Sequence, residues 1–287
     1  MKNILVIGYG KLGSHLYHAL RNVKKKSGVQ RIAEKKPALA KLRKQIDDAG
    51  IIFICVQDSK IPAAVIVIGK HASSLKGKIV YHASGALTSE ELNSLSLKGA
   101  LTASFHPVQT FERKAAKHSG RFDDIYIALE GNKAAVKEAI VIAKDIKAIP
   151  FVIKKENKIL HHVCCVMASN YLTTLTGIIE KTGSRKIQIN GFNKLKFLDI
   201  YMPLAKQTLE NVSSRGPKAS LTGPIERNDL VTLEKHLNAL KSSGRDILYF
   251  YVLMGIETVK LALNKKSITK PEAEKIYKLF SKYIKLQ

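Results

Sequence analysis

Short apolar runs alternate with amphipathic stretches over the first half of the chain. Ile51–Val56 is continuously apolar, which is typical of a strand that is buried on both faces of a parallel sheet. The stretch 11–23 instead has leucines at helical spacing, directly after an apolar N-terminal run. Strands and helices continue to alternate up to a last strand at Pro150–Ile153. The pattern predicts an α/β fold with a doubly wound sheet over residues 1–153.

The second half has a helical pattern only. Its apolar residues recur at helical spacing, and no alternating segment predicts a strand. A loop rich in glycine, proline and serine, Ser213–Pro224, interrupts the helices. We therefore predict an all-α domain over residues 154–287. Its helices are predicted at Glu156–Thr182, Phe192–Asn211, Leu230–Leu240, Arg245–Lys265 and Pro271–Leu286.

The chain is strongly basic, with 48 Lys and Arg against 23 Asp and Glu in 287 residues. A net charge of +25 allows a nucleic-acid or other polyanion partner. The basic residues are nevertheless spread over both halves, without an arginine-rich tail or an alternation of aromatic and basic residues that would stack bases. We interpret most of them as a solvated surface, so a nucleic-acid partner is not expected.

Neither a membrane span nor a signal peptide is expected. Continuous apolar runs such as Ile51–Val56 are far shorter than the ~20 residues of a membrane-spanning helix. The N-terminal run turns glycine-rich at Gly8 without a cleavage region, so it is predicted to be a strand. Cys164 and Cys165 are adjacent in a helical pattern, which is a poor geometry for a disulfide. The expected location is the cytoplasm, where thiols stay reduced.

A glycine-rich turn follows the first predicted strand and opens the first predicted helix. Gly8 permits a tight turn, Gly10 lets the backbone approach a pyrophosphate, and Gly13 allows close packing of helix on strand. The helix N-terminus then offers free N–H groups to the phosphates. In this context the pattern is that of a Rossmann-like dinucleotide-binding domain. The residues expected to bind the cofactor here are Gly8, Tyr9, Gly10, Lys11, Leu12 and Gly13.

The sequence after the second predicted strand bears on the choice between NAD and NADP. Glu34 lies where an acidic residue would bond the ribose 2′-hydroxyl of NAD. Lys35 and Lys36 follow it within a basic run and would attract the 2′-phosphate of NADP. Because the local charge is positive, we expect NADP, bound by Lys35 and Lys36, with NAD as the alternative.

Polar residues follow three further strands, at the edge where an open α/β sheet places its ligands. His82 and His106 are candidate proton donors, since imidazole changes its charge near neutral pH. Histidines at such positions are also common as hydrogen-bonded structural residues, and that alternative stays open. His82 and Gln109 are expected to contact the substrate. The residues expected to contact the cofactor at these strand ends are Val56, Gln57, Asp58 and Ser84.

The first long helix of the second half carries a polar stripe among apolar residues. Lys158 and His162 are four residues apart and can address one ligand. Ser169, Thr173 and Thr176 continue the stripe at ~100° per residue. The exposed edge of a core helix would show the same stripe. Because apolar residues occupy most of the remaining circumference, we expect the stripe to line a cleft, with Ser169 contacting the substrate.

A second candidate binding element is the loop around Gly223 and Pro224. Thr222 precedes this turn, and Arg227 follows it with a guanidinium that can bind a carboxylate in bidentate fashion. An ordinary connection between two helices would have the same composition. We expect Thr222 and Arg227 to contact an anionic substrate.

Together these motifs resemble a family of Rossmann-like proteins, often labelled NADP oxidoreductases, whose C-terminal half is a domain of unknown function. The resemblance implies a fold similar to pyrroline-5-carboxylate reductase and to the β-hydroxyacid and 6-phosphogluconate dehydrogenases. In those enzymes a helical second domain closes over the nicotinamide and usually builds a dimer. The matching pieces span nearly the whole chain and are Gly8–Gly13, His82–Gly85, Ser104–Phe111, Lys158–His162, Ser169–Tyr171 and Leu221–Arg227.

The resemblance implies an NAD(P)-dependent oxidoreductase, expected to be a homodimer, that acts on a small carbonyl, hydroxy-acid or imine substrate. In the β-hydroxyacid dehydrogenases a Lys-x-x-x-Asn pair contacts the substrate; here the spacing is Lys158-x-x-x-His162. Lys158 is therefore expected to relay the proton or to act as the oxyanion partner, with His106 or His162 as alternative acid–base groups and Asn170 orienting the substrate. Two other interpretations stay open, a non-catalytic NADP-binding sensor or scaffold and a basic polyanion-binding protein.

The segment between Lys26 and Ile51 departs from this family pattern. Its length leaves room for one strand and one helix. A fuller dinucleotide-binding half would contain another helix–strand step. We therefore expect a shortened wall on the adenosine side of the sheet.

Overall fold

The computed structural model describes residues 2–23, 28–33, 38–112, 122–184, 187 and 196–284. The chain forms two compact units, Met1–Asn170 and Tyr171–Gln287. The division falls beyond the predicted domain boundary at 153, because the helix that follows the last strand packs with the first unit. Lys35 and Lys36, the predicted 2′-phosphate ligands, lie outside the described residues.

The first unit is built on one seven-stranded sheet. Its strands are β1 Ile4–Ile7, β2 Val29–Ile32, β3 Ile51–Ile54, β4 Ile79–His82, β5 Leu101–Pro107, β6 Tyr126–Gly131 and β7 Ile149–Val152. They lie in the order β2-β1-β3-β4-β5-β6-β7. The strands from β2 to β5 are parallel, β6 is antiparallel to β5, and β7 is parallel to β6.

Helices cover both faces of this sheet, which confirms the predicted doubly wound α/β fold. The helices of the first unit are α1 Lys11–Val23, α2 Leu39–Asp48, α3 Ile61–His71, α4 Asn93–Ser96, α5 Lys133–Asp145 and α6 Lys158–Val166. Successive strand residues point to opposite faces. In β3, Phe53 accordingly packs in the core with α1 and α5, whereas Ile52 and Ile54 pack in the core with α2 and α3. All four residues of β3 are buried, which explains its continuous apolar run.

The chain reverses its direction of travel across the sheet between β1 and β3. β1 pairs with β2 on one side and with β3 on the other. Ligands of open α/β sheets bind at such a switch point, outside the carboxyl ends of the strands. In the described residues one strand, β2, lies beyond β1, as the short spacing between Lys26 and Ile51 predicted.

The second unit is all-α, as predicted. Its helices are α7 Leu172–Gly183, α8 Phe197–Ser220, α9 Leu230–Lys241, α10 Arg245–Lys265 and α11 Lys270–Ser281. The core holds residues such as Leu237, Val252 and Phe280. The prediction of a loop from Ser213 is wrong for residues 213–220, since helix α8 continues to Ser220 with a kink at Gly216. Pro217 follows the kink, where a restarting helix tolerates a residue without an N–H.

The longest apolar helical stretch differs from what run length alone predicted. Lys155–Gly183 is 29 residues long, with a mean hydropathy of 1.2 over its most apolar window, none of which is buried. By length and composition this one stretch among the described residues could cross a membrane. Polar residues interrupt this apolar helix. It therefore contains no long continuous apolar run, and a search for such runs does not identify it. A single such helix is weak evidence for a membrane protein, since a core helix of a soluble protein passes the same test.

Candidate active site

The glycine turn follows β1 directly at the switch point. Gly8 has a φ of +93°, a conformation that glycine adopts without steric cost. A Cβ on Gly13 would lie 1.9 Å from the Gly8 carbonyl oxygen, so α1 approaches β1 closely only with glycine there. A Cβ on Gly10 would instead meet nothing within 4 Å. Two glycines thus close-pack the turn, and the third leaves its backbone open to an incoming group.

These residues fit the pyrophosphate of a dinucleotide. The first helical hydrogen bond of α1 runs from Ser14 N to Gly10 O, so the N–H groups of Lys11, Leu12 and Gly13 precede it. The first turn of α1 contains no acidic residue. An unobstructed helix N-terminus with free N–H groups is a favourable site for a phosphate anion.

An arginine that the sequence argument did not single out lies beside this turn. Arg31, on β2, places its guanidinium 4.1 Å from the ring centroid of Tyr9 and 4.9 Å from that of Tyr17. The Tyr9 hydroxyl lies 2.9 Å from His18 Nε2. The sequence does contain a feature that could have identified Arg31. It is an arginine near the end of the second strand, where a cation close to the adenosine ribose is expected. This cation–π stack holds the exposed guanidinium of Arg31 against Tyr9, a residue of the glycine turn.

Lys158 is almost completely buried at the first position of α6, with 1% of its surface exposed. Its Nζ donates to Ser84 O at 2.7 Å and to Ser104 Oγ at 2.6 Å. Both acceptors are neutral oxygens, and no ion pair among the described residues includes Lys158. Burial lowers the pKa of Lys158 to about 8, while the charges of Glu130 and Asp58 partly oppose this.

The two carboxylates whose charges act on this lysine, Asp58 and Glu130, hold the segment after β4. Ser84 Oγ donates to Asp58 Oδ2 at 2.8 Å. Ser89 donates to Glu130 through its N–H at 2.8 Å and through its hydroxyl at 2.7 Å. Glu130 reaches this position because the antiparallel register of β6 sets it opposite Ser104. The carboxylates therefore order the segment 84–89 rather than pairing with Lys158.

His82 is fully buried at the end of β4, and both of its ring nitrogens have partners. Ser84 N donates to His82 Nδ1 at 3.2 Å, so the other nitrogen, Nε2, carries the proton and donates to Thr88 O at 2.9 Å. Burial, together with the charge of Lys158, lowers the pKa of His82 to about 4. At neutral pH it is an uncharged, hydrogen-bonded ring, which is the alternative that the sequence left open. Its contact with substrate stays a prediction.

His106 and His162 converge on Gly85. A Cβ on Gly85 would lie 2.7 Å from His106 Nε2 and 2.6 Å from His162 Nδ1, so a larger residue there would displace at least one of the two rings. The ring centroids of the two histidines are 6.2 Å apart. In the described part of the chain, Nδ1 of each is buried without a hydrogen-bond partner. Burial, followed by the charge of Lys158, lowers the pKa of His106 to about 3, so the ring is uncharged at neutral pH.

The helix that carries Lys158 departs from ideal geometry after Val166. A π-helical turn, Met167–Tyr171, separates α6 from α7. Such a turn adds a residue, so the spacing of ~100° that linked Ser169, Thr173 and Thr176 to Lys158 does not hold beyond it. Ser169 and Asn170 lie within this turn, and turns of this kind occur frequently at functional sites.

Within the described part of the first unit, no hydrogen bond joins Val56, Gln57 or Gln109 to the Lys158 cluster, which comprises Lys158, Ser84, Ser104, His82, His106 and His162. Val56 is half-buried after β3, and Gln57 is exposed. Gln109 is exposed and accepts a hydrogen bond from Thr110 N at 2.8 Å. Thr222 and Arg227 are exposed side chains of the second unit. Their binding roles stay predictions.

Residues 125–284, more than half of the chain, match the domain of unknown function DUF2520. The chain belongs to the DUF2520 family. Residues 4–107 of this DUF2520 protein also match the Rossmann-like domain, which covers the sheet up to the end of β5. The resemblance inferred from the motifs is thereby confirmed. No curated protein matches the chain significantly.

Solved structures share the fold of this DUF2520 protein. Protein TM1727 from Thermotoga maritima is 22% identical, with a TM-score of 0.64 over 90% of this chain and 98% of its own. A provisionally assigned NADP oxidoreductase from Bacteroides fragilis is 17% identical, with a TM-score of 0.68 over the same shares. A pyrroline carboxylate reductase from Plasmodium falciparum, solved with NADP bound, is 15% identical, with a TM-score of 0.56 over 98% of both chains. At these identities the likeness establishes the fold.

Proposed function

We propose that this DUF2520 protein is an NAD(P)-dependent oxidoreductase that transfers hydride between a nicotinamide and a small carbonyl, hydroxy-acid or imine substrate. One juxtaposition carries the proposal. A glycine turn open to a pyrophosphate and a buried lysine lie at the carboxyl edge of the same parallel strands. The first suits a dinucleotide, and the second suits proton transfer. The NADP bound to a structural neighbour is consistent with this.

The dinucleotide would be held through backbone and side chains of the first unit. Gly8–Gly13 would bind the pyrophosphate, with Val56, Gln57, Asp58 and Ser84 along its nicotinamide half. Arg31, exposed and stacked on Tyr9, supports NADP over NAD because its guanidinium can bind a 2′-phosphate. Lys35 and Lys36 would add to it. When bound, the reduced nicotinamide supplies the hydride.

Lys158 would transfer the proton that accompanies the hydride. A donor works best when its pKa lies near the working pH, and that of Lys158 is about 8. His82 would be a positioning residue, because it holds the segment 84–89 through Ser84 N and Thr88 O. His106 and His162 would contact the substrate with their unpartnered nitrogens, and Asn170 would orient it. Ser169, Gln109, Thr222 and Arg227 would complete the binding residues.

Thermal unfolding with NADPH and with NADH, side by side, tests the proposal. A ligand at 100 times its Kd stabilises the native state by ~2.7 kcal/mol, which raises the Tm by a few degrees at this size. We expect a larger shift with NADPH. Calorimetry suits a chain that contains no Trp. No shift with either nucleotide would contradict the function, and a shift without turnover on carbonyls or imines would favour a non-catalytic NADP-binding sensor.

A homodimer is part of the same proposal. Ile159, Leu160, Val163 and Met167 lie on successive turns of one helical stretch, and each is 41–64% exposed. Contiguous exposed apolar side chains of this kind mark interaction surfaces. A second copy of this chain would cover them.

The free thiols Cys55, Cys164 and Cys165 are consistent with a cytoplasmic location.

Light scattering tests the dimer. Leu160→Lys would place a charge on the exposed face of α6, so we expect the mass to fall to that of one chain. Val141→Lys is the matched control, since Val141 is an equally apolar, 50% exposed residue of α5 outside this face. An unchanged mass for Leu160→Lys would exclude this face as the dimer interface.

A further inference from the structure

The charges around Lys158 discriminate between the substrate classes that the proposed function leaves open. We propose that this site takes an anionic carbonyl compound, an oxo acid and the corresponding hydroxy acid, and disfavours imines. The inference rests on the proposed function and specifies its substrate class. It is drawn from three observations: a buried cation without an ion pair among the described residues, unpartnered histidine nitrogens beside it, and the sign of the charge that each reaction develops.

The first observation is that no residue in the described part of the chain forms an ion pair with Lys158. Its two hydrogen bonds go to Ser84 O and Ser104 Oγ. Asp58 and Glu130 influence it from farther away, but their oxygens accept from Ser84 and Ser89 instead. A buried charge without a partner is costly, so a ligand anion that pairs with it binds favourably. A carboxylate or a developing alkoxide supplies that charge.

The second observation concerns the neighbouring rings. Ser84 N and Thr88 O fix His82 in one uncharged tautomer. His106 and His162 each leave Nδ1 buried and unpartnered among the described residues. Such atoms are costly unless a ligand satisfies them. Hydroxyl, carbonyl and carboxylate groups can do so without adding positive charge to the site.

The third observation is the balance of the reaction. In carbonyl reduction the carbonyl carbon accepts the hydride, the π pair moves to oxygen, and Lys158 Nζ donates the proton that makes the alcohol. The nicotinamide is oxidised, the carbonyl is reduced, and the neutral amine of Lys158 regains a proton from solvent. Negative charge thus develops beside a cation, which stabilises it. A protonated imine and its ammonium product are both cations, and Lys158 repels them throughout.

Three probes of equal shape test the charge selection without any turnover. Acetate, acetamide and acetamidinium are isosteric and carry charges of −1, 0 and +1. Their stabilisation of the protein would be measured by calorimetry, with the wild type compared with Lys158→Met. Lys155→Met is the matched control, because Lys155 is an exposed lysine paired with Glu90 three residues before the site. Subtracting the control removes general attraction of anions to a basic protein.

We expect acetate to bind the wild type at least tenfold more tightly than either other probe, and Lys158→Met to lose that advantage while Lys155→Met keeps it. If Lys158→Met fails to fold, the wild type is titrated from pH 7 to pH 10, where acetate should lose its advantage as Lys158 loses its proton. Equal binding of the three probes, or an advantage for acetate that persists without the Lys158 charge, would overturn the inference.

A turnover arm separates this inference from the proposed function. The protein with NADPH is offered oxo acids and cyclic imines of matched size, and oxo acids should be reduced at least tenfold faster. Faster imine reduction overturns the substrate class while leaving the oxidoreductase intact. If NADPH itself does not bind, the proposed function fails, whereas acetate selectivity would still report whether Lys158 forms an anion site.

Discussion

The glycine turn and the Lys158 cluster lie at the same edge of one sheet, yet they are built in opposite ways. The turn is six consecutive residues, and its Gly10 faces open space. The Lys158 cluster joins residues 54 and 74 positions apart, and its lysine is 1% exposed. In the proposed function, the first region would bind through exposed backbone N–H groups, whereas the second would act through a desolvated charge. Local backbone geometry is enough to expose the N–H groups of the glycine turn, whereas the desolvation of the Lys158 charge arises only from burial.

Lys158→Met should have the largest effect, because it removes the charge while keeping much of the side-chain volume. We expect kcat to fall by about 10²–10⁴ while the Kd for NADPH stays within about twofold, since the glycine turn is untouched. Steady-state kinetics and calorimetric titration measure the two quantities. Lys155→Met should leave both unchanged. A loss of NADPH affinity equal to the loss of kcat would break the distinction between the two regions.

The next largest effect is expected within the glycine turn itself. Gly13→Ala would force a Cβ to within 1.9 Å of the Gly8 carbonyl oxygen, so the free energy of unfolding should fall by about 3 kcal/mol or more. Gly10→Ala is the control, as its Cβ meets nothing, and it should lower NADPH affinity with little loss of stability. Urea unfolding of both variants tests this. Equal stabilities would mean that the turn is not close-packed.

The burial of His82 and His106 should make the free energy of unfolding depend on pH in the acid range. The folded pKa values of His82 and His106, about 4 and 3, lie below the ordinary 6.5, so the unfolded chain binds more protons below pH 6.5. The free energy of unfolding should therefore fall as the pH drops, by up to about 1.4 kcal/mol per pH unit for each histidine. Urea unfolding from pH 7 to 4 measures the slope. His106→Gln should make the slope shallower, because it removes one of the two buried histidines.

The smallest expected effect concerns the cofactor choice at the open region. Arg31→Ala should weaken NADPH about fivefold and leave NADH unchanged, because an exposed arginine pairs with a phosphate in screened surroundings. Arg43→Ala, an exposed arginine of α2, is the control. Titration of both variants with NADPH and with NADH measures these affinities. Equal losses for NADPH and NADH would assign Arg31 to holding Tyr9 rather than to reading the 2′-phosphate.

The sequence by itself determined the features whose causes are local. The alternation of apolar runs and helical spacing defined the sheet with its helices, and the helical second half followed from the same periodicity. Gly8, Gly10 and Gly13 could be assigned because a tight turn needs glycine at fixed spacing. Lys158 and His162 were found by their four-residue separation and by a family resemblance. Local rules failed at Gly216, where helix α8 continues past a kink, and at the π-helical turn.

Only the tertiary structure decided the electrostatics of the site. The register of β6 against β5 brings Glu130 opposite Ser104, and the segment after β4 takes both nearby carboxylates. Lys158 is thereby buried without an ion-pair partner among the described residues, and the pKa values of His82 and His106 fall. Arg31 became a candidate only through its stack on Tyr9. A charge depends on all its neighbours at once, and those neighbours come from strands far apart in the chain, so spacing along the sequence does not contain them.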